Sequence, residues 1–177
     1  MANKFLIVVD MQNDFIDGAL GTAEAQAIVP AVVERIRQAK EAGETVIATL
    51  DTHTPDYMNT PEGRKLPVPH CIRQTEGWQI RKQVQDAMGD ALLVEKPTFG
   101  SIRLPEIVRG LADDPAAMTI ELIGLCTDIC VVSNTLLLKA HFPDAEIRVR
   151  EACCAGVTPE KHAAALETMR SCQIDVL

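Results

Sequence analysis

With 177 residues the chain is long enough to bury the core of one domain, and a single domain over 1–177 is expected. A formal net charge of −8 argues against a general nucleic-acid or anionic-membrane binder, and 3% aromatic residues argue against a base-stacking surface. In chain order, Phe5-Leu6-Ile7-Val8-Val9 is a short apolar run suited to a strand buried on both faces. It is too short for a signal-peptide core and far too short to span a membrane, so a cytoplasmic location and no membrane partner are expected. Helical spacing runs over 23–42 through Ile28, Val32, Val33, Ile36 and Ala39, and Gly43 stops it. Strands are predicted over 45–50, 91–95, 118–123, 146–150 and 173–177. Helices are predicted over 78–88, 105–111, 128–141 and 159–171.

This alternation predicts an α/β fold, a mostly parallel sheet with helices on both faces. Ligands of such sheets bind beyond the carboxyl ends of the strands. Asp10 ends the first strand, Asp51 and His53 follow the second, Lys96 follows the third, and Cys126 and Cys130 follow the fourth. All are therefore expected at one edge. The irregular stretch from Asp51 to Gly77 is long for a connection in one domain, and loops of that length usually carry function.

The segment Gly124-Leu125-Cys126-Thr127-Asp128-Ile129-Cys130-Val131 sets a thiol in the predicted first turn of a helix. The positive end of a helix favours a thiolate, the attacking form, and its N–H groups can hold an oxyanion. A small buried cysteine would read the same way. A nucleophilic thiol needs a proton acceptor and electrostatic help. Asp10, a carboxylate ending a buried strand, is the candidate base, and Lys96 the candidate cation; a structural ion pair is the other reading of those two. Cys71, Cys153, Cys154 and Cys172 are taken as core or near-core thiols. The neighbouring Cys153 and Cys154 would pair only under strain, and reduced cysteines fit a reducing compartment. Asp51, His53, Glu62 and His70 lie within one loop. Carboxylate and imidazole together suit zinc, manganese or iron, although such residues are also common as solvated groups.

Three runs together resemble the signatures of the isochorismatase-like cysteine hydrolases: Asp10-Met11-Gln12-Asn13-Asp14-Phe15, Lys96 with Phe99 after it, and Gly124 to Val131. The resemblance extends over nearly the whole chain. It implies a Rossmann-like three-layer sandwich with a six-stranded sheet in order 3-2-1-4-5-6. It implies a triad of Asp10, Lys96 and Cys130, a cis bond between Leu125 and Cys126, and an oxyanion hole from the N–H groups of Cys126 and Cys130. It implies a divalent metal, zinc first, held as in the nicotinamidase branch by Asp51, His53, Glu62 and His70. Phe15 and Phe99 are the expected substrate-lining residues, and the partners implied are a small amide and further copies of the chain. Nicotinamidases of this type commonly stack an aromatic residue on the pyridine ring from three positions before the last metal histidine. Pro67 stands there, which keeps a non-pyridine amide, ureido or carbamoyl substrate open beside nicotinamide. A non-catalytic metal-binding or thiol-switch protein, cycling Cys126 and Cys130, is the third reading.

Overall fold

Parallel pairing organises the chain. In the computed structural model, which describes residues 3–177, six strands form one sheet in the order β3-β2-β1-β4-β5-β6. They are β1 (Lys4–Val9), β2 (Thr45–Asp51), β3 (Leu92–Lys96), β4 (Thr119–Leu125), β5 (Glu146–Ala155) and β6 (Asp175–Val176). Every pairing is parallel. The helices are α1 (Asn13–Ile16), α2 (Ala23–Glu41), α3 (Pro61–Lys65), α4 (Lys82–Met88), α5 (Arg103–Leu111), α6 (Val132–His141) and α7 (Pro159–Ser171).

Side chains on a strand alternate between faces, and β1 divides its residues accordingly. Phe5, Ile7 and Val9 join a core closed by Leu104 and Val108 of α5, Leu138 of α6, and Leu166 and Met169 of α7. Leu6 and Val8 join a second core closed by Val32 and Ile36 of α2 and Val84 and Met88 of α4. Both faces are thus covered, which makes three layers. Among the described residues no helix is long and apolar enough to cross a membrane.

The register of the strands sets the site. Val9 pairs with Thr49 on one side and Gly124 on the other, and Asp51 pairs with Lys96. Asp10, Asp51, Lys96 and the turn after β4 therefore share one edge. Gly124 is required there: its φ is +119°, and a Cβ would collide with the Val9 carbonyl.

Several expectations need correction. Helix α4 begins at Lys82, not at Trp78. The backbone before it is committed elsewhere: Asn13 N–H donates to Gln79 C=O at 2.9 Å, and Arg81 N–H donates to Met11 C=O at 2.8 Å. The helix predicted over 128–141 opens as a π turn over Thr127–Val131, where Val131 N–H reaches back to Cys126 C=O at 3.1 Å; α6 follows. Helix α5 starts at Arg103, and β5 runs on to Ala155 past a register shift opposite β4. The last strand is only Asp175–Val176. Cys172 is exposed, not a core residue. The long loop holds a 3₁₀ turn at Tyr57–Asn59 as well as α3.

Candidate active site

Asp10 follows β1 directly, at φ +47°, and is fully buried. One carboxylate oxygen, Oδ1, accepts from Thr49 Oγ1 at 2.6 Å. The other, Oδ2, accepts no aligned hydrogen bond among the described residues and faces Lys96 Nζ at 2.7 Å. Lys96 closes β3 and is 1% exposed. Its ammonium also lies 3.4 Å from Cys130 Sγ and 3.5 Å from Asp51 Oδ1. One buried cation thus touches a carboxylate, a thiol and a second carboxylate.

Burial strongly favours the neutral form of each acid in this cluster. It raises Asp10 above the ordinary aspartate value against the pull of the Lys96 charge. It raises the Cys130 thiol well above its ordinary value, and the Asp10 charge adds to that. Burial alone would neutralise Lys96, but the charges of Asp10, Cys130 and Asp51 keep it protonated beyond the ordinary lysine range. Cys130 sits in a π turn, where burial and the Asp10 charge favour its thiol form against the pull expected of a helix start.

A second cluster adjoins the first. One ligand atom each from Asp51, His53, Glu62 and His70 lies within 4.8 Å of the others. His53 Nε2 is 3.0 Å from Asp51 Oδ2 and 3.7 Å from Glu62 Oε1; His70 Nε2 is 3.5 Å and 3.8 Å from the same two oxygens. His70 Nδ1 bonds Val68 C=O at 2.8 Å. A carbonyl can only accept, so Nδ1 carries the proton and Nε2 is turned to the cluster, as a metal-ligating histidine is commonly held by a carbonyl on its other nitrogen. Burial pushes Asp51 up, but the His53 and His70 hydrogen bonds and the Lys96 charge outweigh it and hold the carboxyl well below its ordinary range. Two carboxylates and two imidazole nitrogens converging in a mostly buried place fit a divalent cation such as zinc, manganese or iron. Tyr57, buried, packs edge-on to His53 and His70 with ring centroids 4.8 and 5.0 Å away.

Both clusters open on a cavity of about 400 Å³ lined by Phe15, Leu20, Asp51, Pro61, Glu62, Lys65, Leu66, His70, Thr98, Phe99, Cys126, Ile129 and Cys130. The structure thus brings the candidate triad, the candidate metal ligands, Cys126, Phe15 and Phe99 together. Phe15 is buried with its ring 5.5 Å from that of His70, whereas Phe99 is 44% exposed at the mouth. Pro67 does not line the cavity, whereas Pro61, Lys65 and Leu66 do. Trp78 lies outside it, its Nε1 donating to Thr52 Oγ1 at 2.9 Å. The Leu125–Cys126 bond is cis, as expected.

Thr49 and Asn134 had no place in the sequence reading. Asn134 is fully buried; its amide donates to Cys130 C=O at 2.8 Å and Phe99 C=O at 3.1 Å, and accepts from Ser101 N–H at 2.9 Å. It ties the nucleophile's turn to the segment after Lys96. Its spacing, one turn past Cys130, was the available signal.

The family model for the isochorismatase domain matches residues 4–177. The chain belongs to this family. Within the isochorismatase family, a nicotinamidase of Schizosaccharomyces pombe is 28% identical, covering 97% of this chain and 91% of its own. Among solved structures, the pyrazinamidase of Pyrococcus horikoshii in complex with zinc superposes with a TM-score of 0.83 at 30% identity, covering 99% of this chain and 98% of that one. The N-carbamoylsarcosine amidase of Thermoplasma acidophilum gives a TM-score of 0.80 at 28% identity, covering 99% and 95%.

Proposed function

We propose that the protein cleaves a small amide to a carboxylate and ammonia through a thioester on Cys130, with nicotinamide the leading substrate. It is a hydrolase of amide bonds; the thioester route, the substrate and the residue roles are the proposal. The observation that carries it is Lys96, whose ammonium lies 2.7 Å from Asp10 and 3.4 Å from Cys130 at one end of a cavity that the metal cluster also lines.

The carboxylate of Asp10 takes the thiol proton through Oδ2, the oxygen with no aligned donor. Sulfur adds to the amide carbonyl carbon, and the carbonyl π pair moves to oxygen. The oxyanion is held by the backbone N–H groups of Cys126 and Cys130. When it collapses, the carbon–nitrogen bond breaks and Asp10 returns its proton to the leaving nitrogen, which departs as ammonia. Water then gives a proton to Asp10 and attacks the thioester. The carbon–sulfur bond breaks, and Asp10 re-protonates the thiolate. One amide and one water yield one acid and one ammonia. Burial raises Asp10, which moves it toward the neutral range where a group can both take and give a proton. Lys96 stays charged throughout and balances each anion in turn.

Asp51, His53, Glu62 and His70 would hold a divalent metal, zinc first. When bound, it supplies a Lewis-acidic anchor for a lone pair on the substrate, such as a pyridine nitrogen. Phe15 offers one aromatic wall. Pro61 and Leu66, which also line the cavity, are aliphatic and stand where a second aromatic wall was expected from Pro67's neighbourhood, which favours a second reading, a non-pyridine amide or carbamoyl compound. The zinc-bound pyrazinamidase supports the first, and the N-carbamoylsarcosine amidase the second. A thiol switch on Cys126 and Cys130 has no use for the Asp10–Lys96 pair. The free cysteines fit a reducing compartment, the cytoplasm.

The test is ammonia release from nicotinamide by zinc-loaded protein, with Cys130→Ala as the blank. Release that depends on Cys130 supports nicotinamide. No release from nicotinamide, with Cys130-dependent release from N-carbamoyl amino acids, moves the reading to the carbamoyl class. Turnover that survives Cys130→Ala would refute the thioester.

A further inference from the structure

The run Asp10-Met11-Gln12-Asn13-Asp14 does more than supply a base. Gln12 is fully buried, and its side-chain amide is spent on main chain. Its Oε1 accepts from Asp51 N–H at 2.8 Å, and its Nε2 donates to Asp51 C=O at 2.8 Å and to Trp78 C=O at 2.8 Å. The carboxamide therefore grips both backbone groups of Asp51. Two residues on, Asp14 Oδ2 accepts from Cys71 N–H at 2.7 Å, directly after His70. The same carboxylate fills the space left at Gly77, where a Cβ would collide with it. Cys71 C=O in turn accepts from His53 N–H at 2.9 Å.

Three of the four converging side chains, those of Asp51, His53 and His70, thus belong to backbone held directly or at one remove by Gln12 and Asp14. The fourth is built separately. Glu62 sits on α3, whose start is capped by Thr60 Oγ1 accepting from Gly63 N–H at 3.0 Å, and whose end is held by Tyr57 Oη donating to Leu66 C=O at 2.8 Å. Gln12 is also tied to the residue that supplies the base: its N–H donates to Asp10 C=O at 2.7 Å. One short segment therefore sets both where the base stands and where the ligand loop stands.

A multidentate site loses affinity quickly when its ligands are free to drift, and outer-shell partners typically contribute about 10- to 100-fold in metal affinity. We propose that Gln12 and Asp14 are positioning residues of the metal centre, fixing Asp51, His53 and His70 at a set distance from Asp10 through the main chain. The inference rests on the reading of those three residues and Glu62 as metal ligands. It adds that two side chains unable to reach the ion set its affinity.

The test uses zinc alone as probe, in competition with a chromophoric chelator, on wild type, Gln12→Met, Asp14→Ala and Asp14→Asn. Gln12→Met keeps the volume and removes the hydrogen bonds. Asp14→Asn keeps an oxygen acceptor for Cys71 N–H. Zinc affinity is expected to fall about 10- to 100-fold in Gln12→Met and Asp14→Ala and to return toward wild type in Asp14→Asn. Alkylation of Cys130 in the metal-free proteins, followed by mass mapping, is expected to keep its wild-type rate, which a general loosening of the fold would change. If Gln12→Met does not fold, the Asp14 pair decides. Wild-type zinc affinity in Asp14→Ala, or a weakened affinity that Asp14→Asn fails to restore, would overturn the clamp. Absence of stoichiometric zinc on the wild-type protein would sink the metal reading first and this inference with it.

Discussion

Thr49→Val is the sharpest probe of Asp10. Thr49 is fully buried, and its hydroxyl donates to Asp10 Oδ1 at 2.6 Å. Valine keeps the branched shape and removes that one donor. A hydrogen bond to a charged acceptor contributes about 1.5–3 kcal/mol, and each pKa unit corresponds to about 1.4 kcal/mol. The Thr49 bond favours the ionised carboxylate, so its loss raises the Asp10 pKa, already lifted by burial, still further. In the proposed route the free enzyme needs ionised Asp10 to accept the thiol proton. The acidic limb of kcat/KM should therefore move up by about one to two pH units, while the plateau at higher pH changes little. Stability gives a second arm. An acid whose folded pKa lies above its unfolded value contributes stability that is fully present below the unfolded pKa and lost as pH rises through the folded one. The variant should accordingly lose most stability near neutrality and least in acid. A pH–rate profile and thermal unfolding at two pH values measure both. A lowered plateau with an unmoved limb would show that Thr49 acts on packing alone and that Asp10 is not the titrating base.

Removing the metal by chelation should raise KM for the amide much more than it lowers kcat, and zinc should restore KM, because the ion is assigned to holding substrate. A collapse of kcat with KM unchanged would put the ion into the chemistry instead. Glu121→Gln tests stability away from the site. Glu121 accepts from Arg35 Nε at 2.9 Å and Arg150 Nε at 2.6 Å, and it lines no part of the catalytic cavity. Burial would raise its pKa, but the bonds from Arg150 and Arg35 outweigh this and hold it below the ordinary glutamate range. That stability is present above the unfolded pKa and lost as pH falls through the folded one. The variant should be less stable near neutrality by about 3 kcal/mol, the low end for breaking a buried pair because Arg150 is partly exposed, with the gap closing in acid. Equal unfolding midpoints for variant and wild type at neutral pH would refute this.

The sheet was legible because its strands are buried on both faces and announce themselves as unbroken apolar runs. Phe5 to Val9 reads as a strand buried on both faces, and it is the third of six in the sheet order. Where the reading slipped, long-range backbone pairing overrode local pattern. Trp78 to Arg81 has the composition of a helix start, but its carbonyls and amides are taken by Met11, Gln12 and Asn13, so the helix waits until Lys82. The two-residue final strand is another case, since its extent depends on what β5 offers as a partner. No window of sequence contains that information.

The candidate site was legible to the extent that chemistry is carried by residue type at a strand end. A carboxylate, an ammonium and a thiol after three apolar runs are conspicuous because each is costly to bury alone. The supporting groups were silent for the opposite reason. Thr49 sits inside a strand as an ordinary β-branched residue, and Asn134 sits inside a helix; only the fold reveals that one steadies Asp10 and the other joins Cys130 to Phe99. The balance of charge and burial at Cys130 was silent for a related reason. A helix start considered alone lowers a thiol pKa, but Cys130 shares its site with two carboxylates and one ammonium, all nearly removed from water. Removal of the thiol from water, with the Asp10 charge added, outweighs a half-charge dipole, and the groups that meet there follow from strand register, which sets Asp51 opposite Lys96 and Val9 opposite Gly124. The setting of Cys130 is therefore a property of the sheet edge as a whole, which brings the Lys96 ammonium within 3.4 Å of the thiol and 2.7 Å of Asp10.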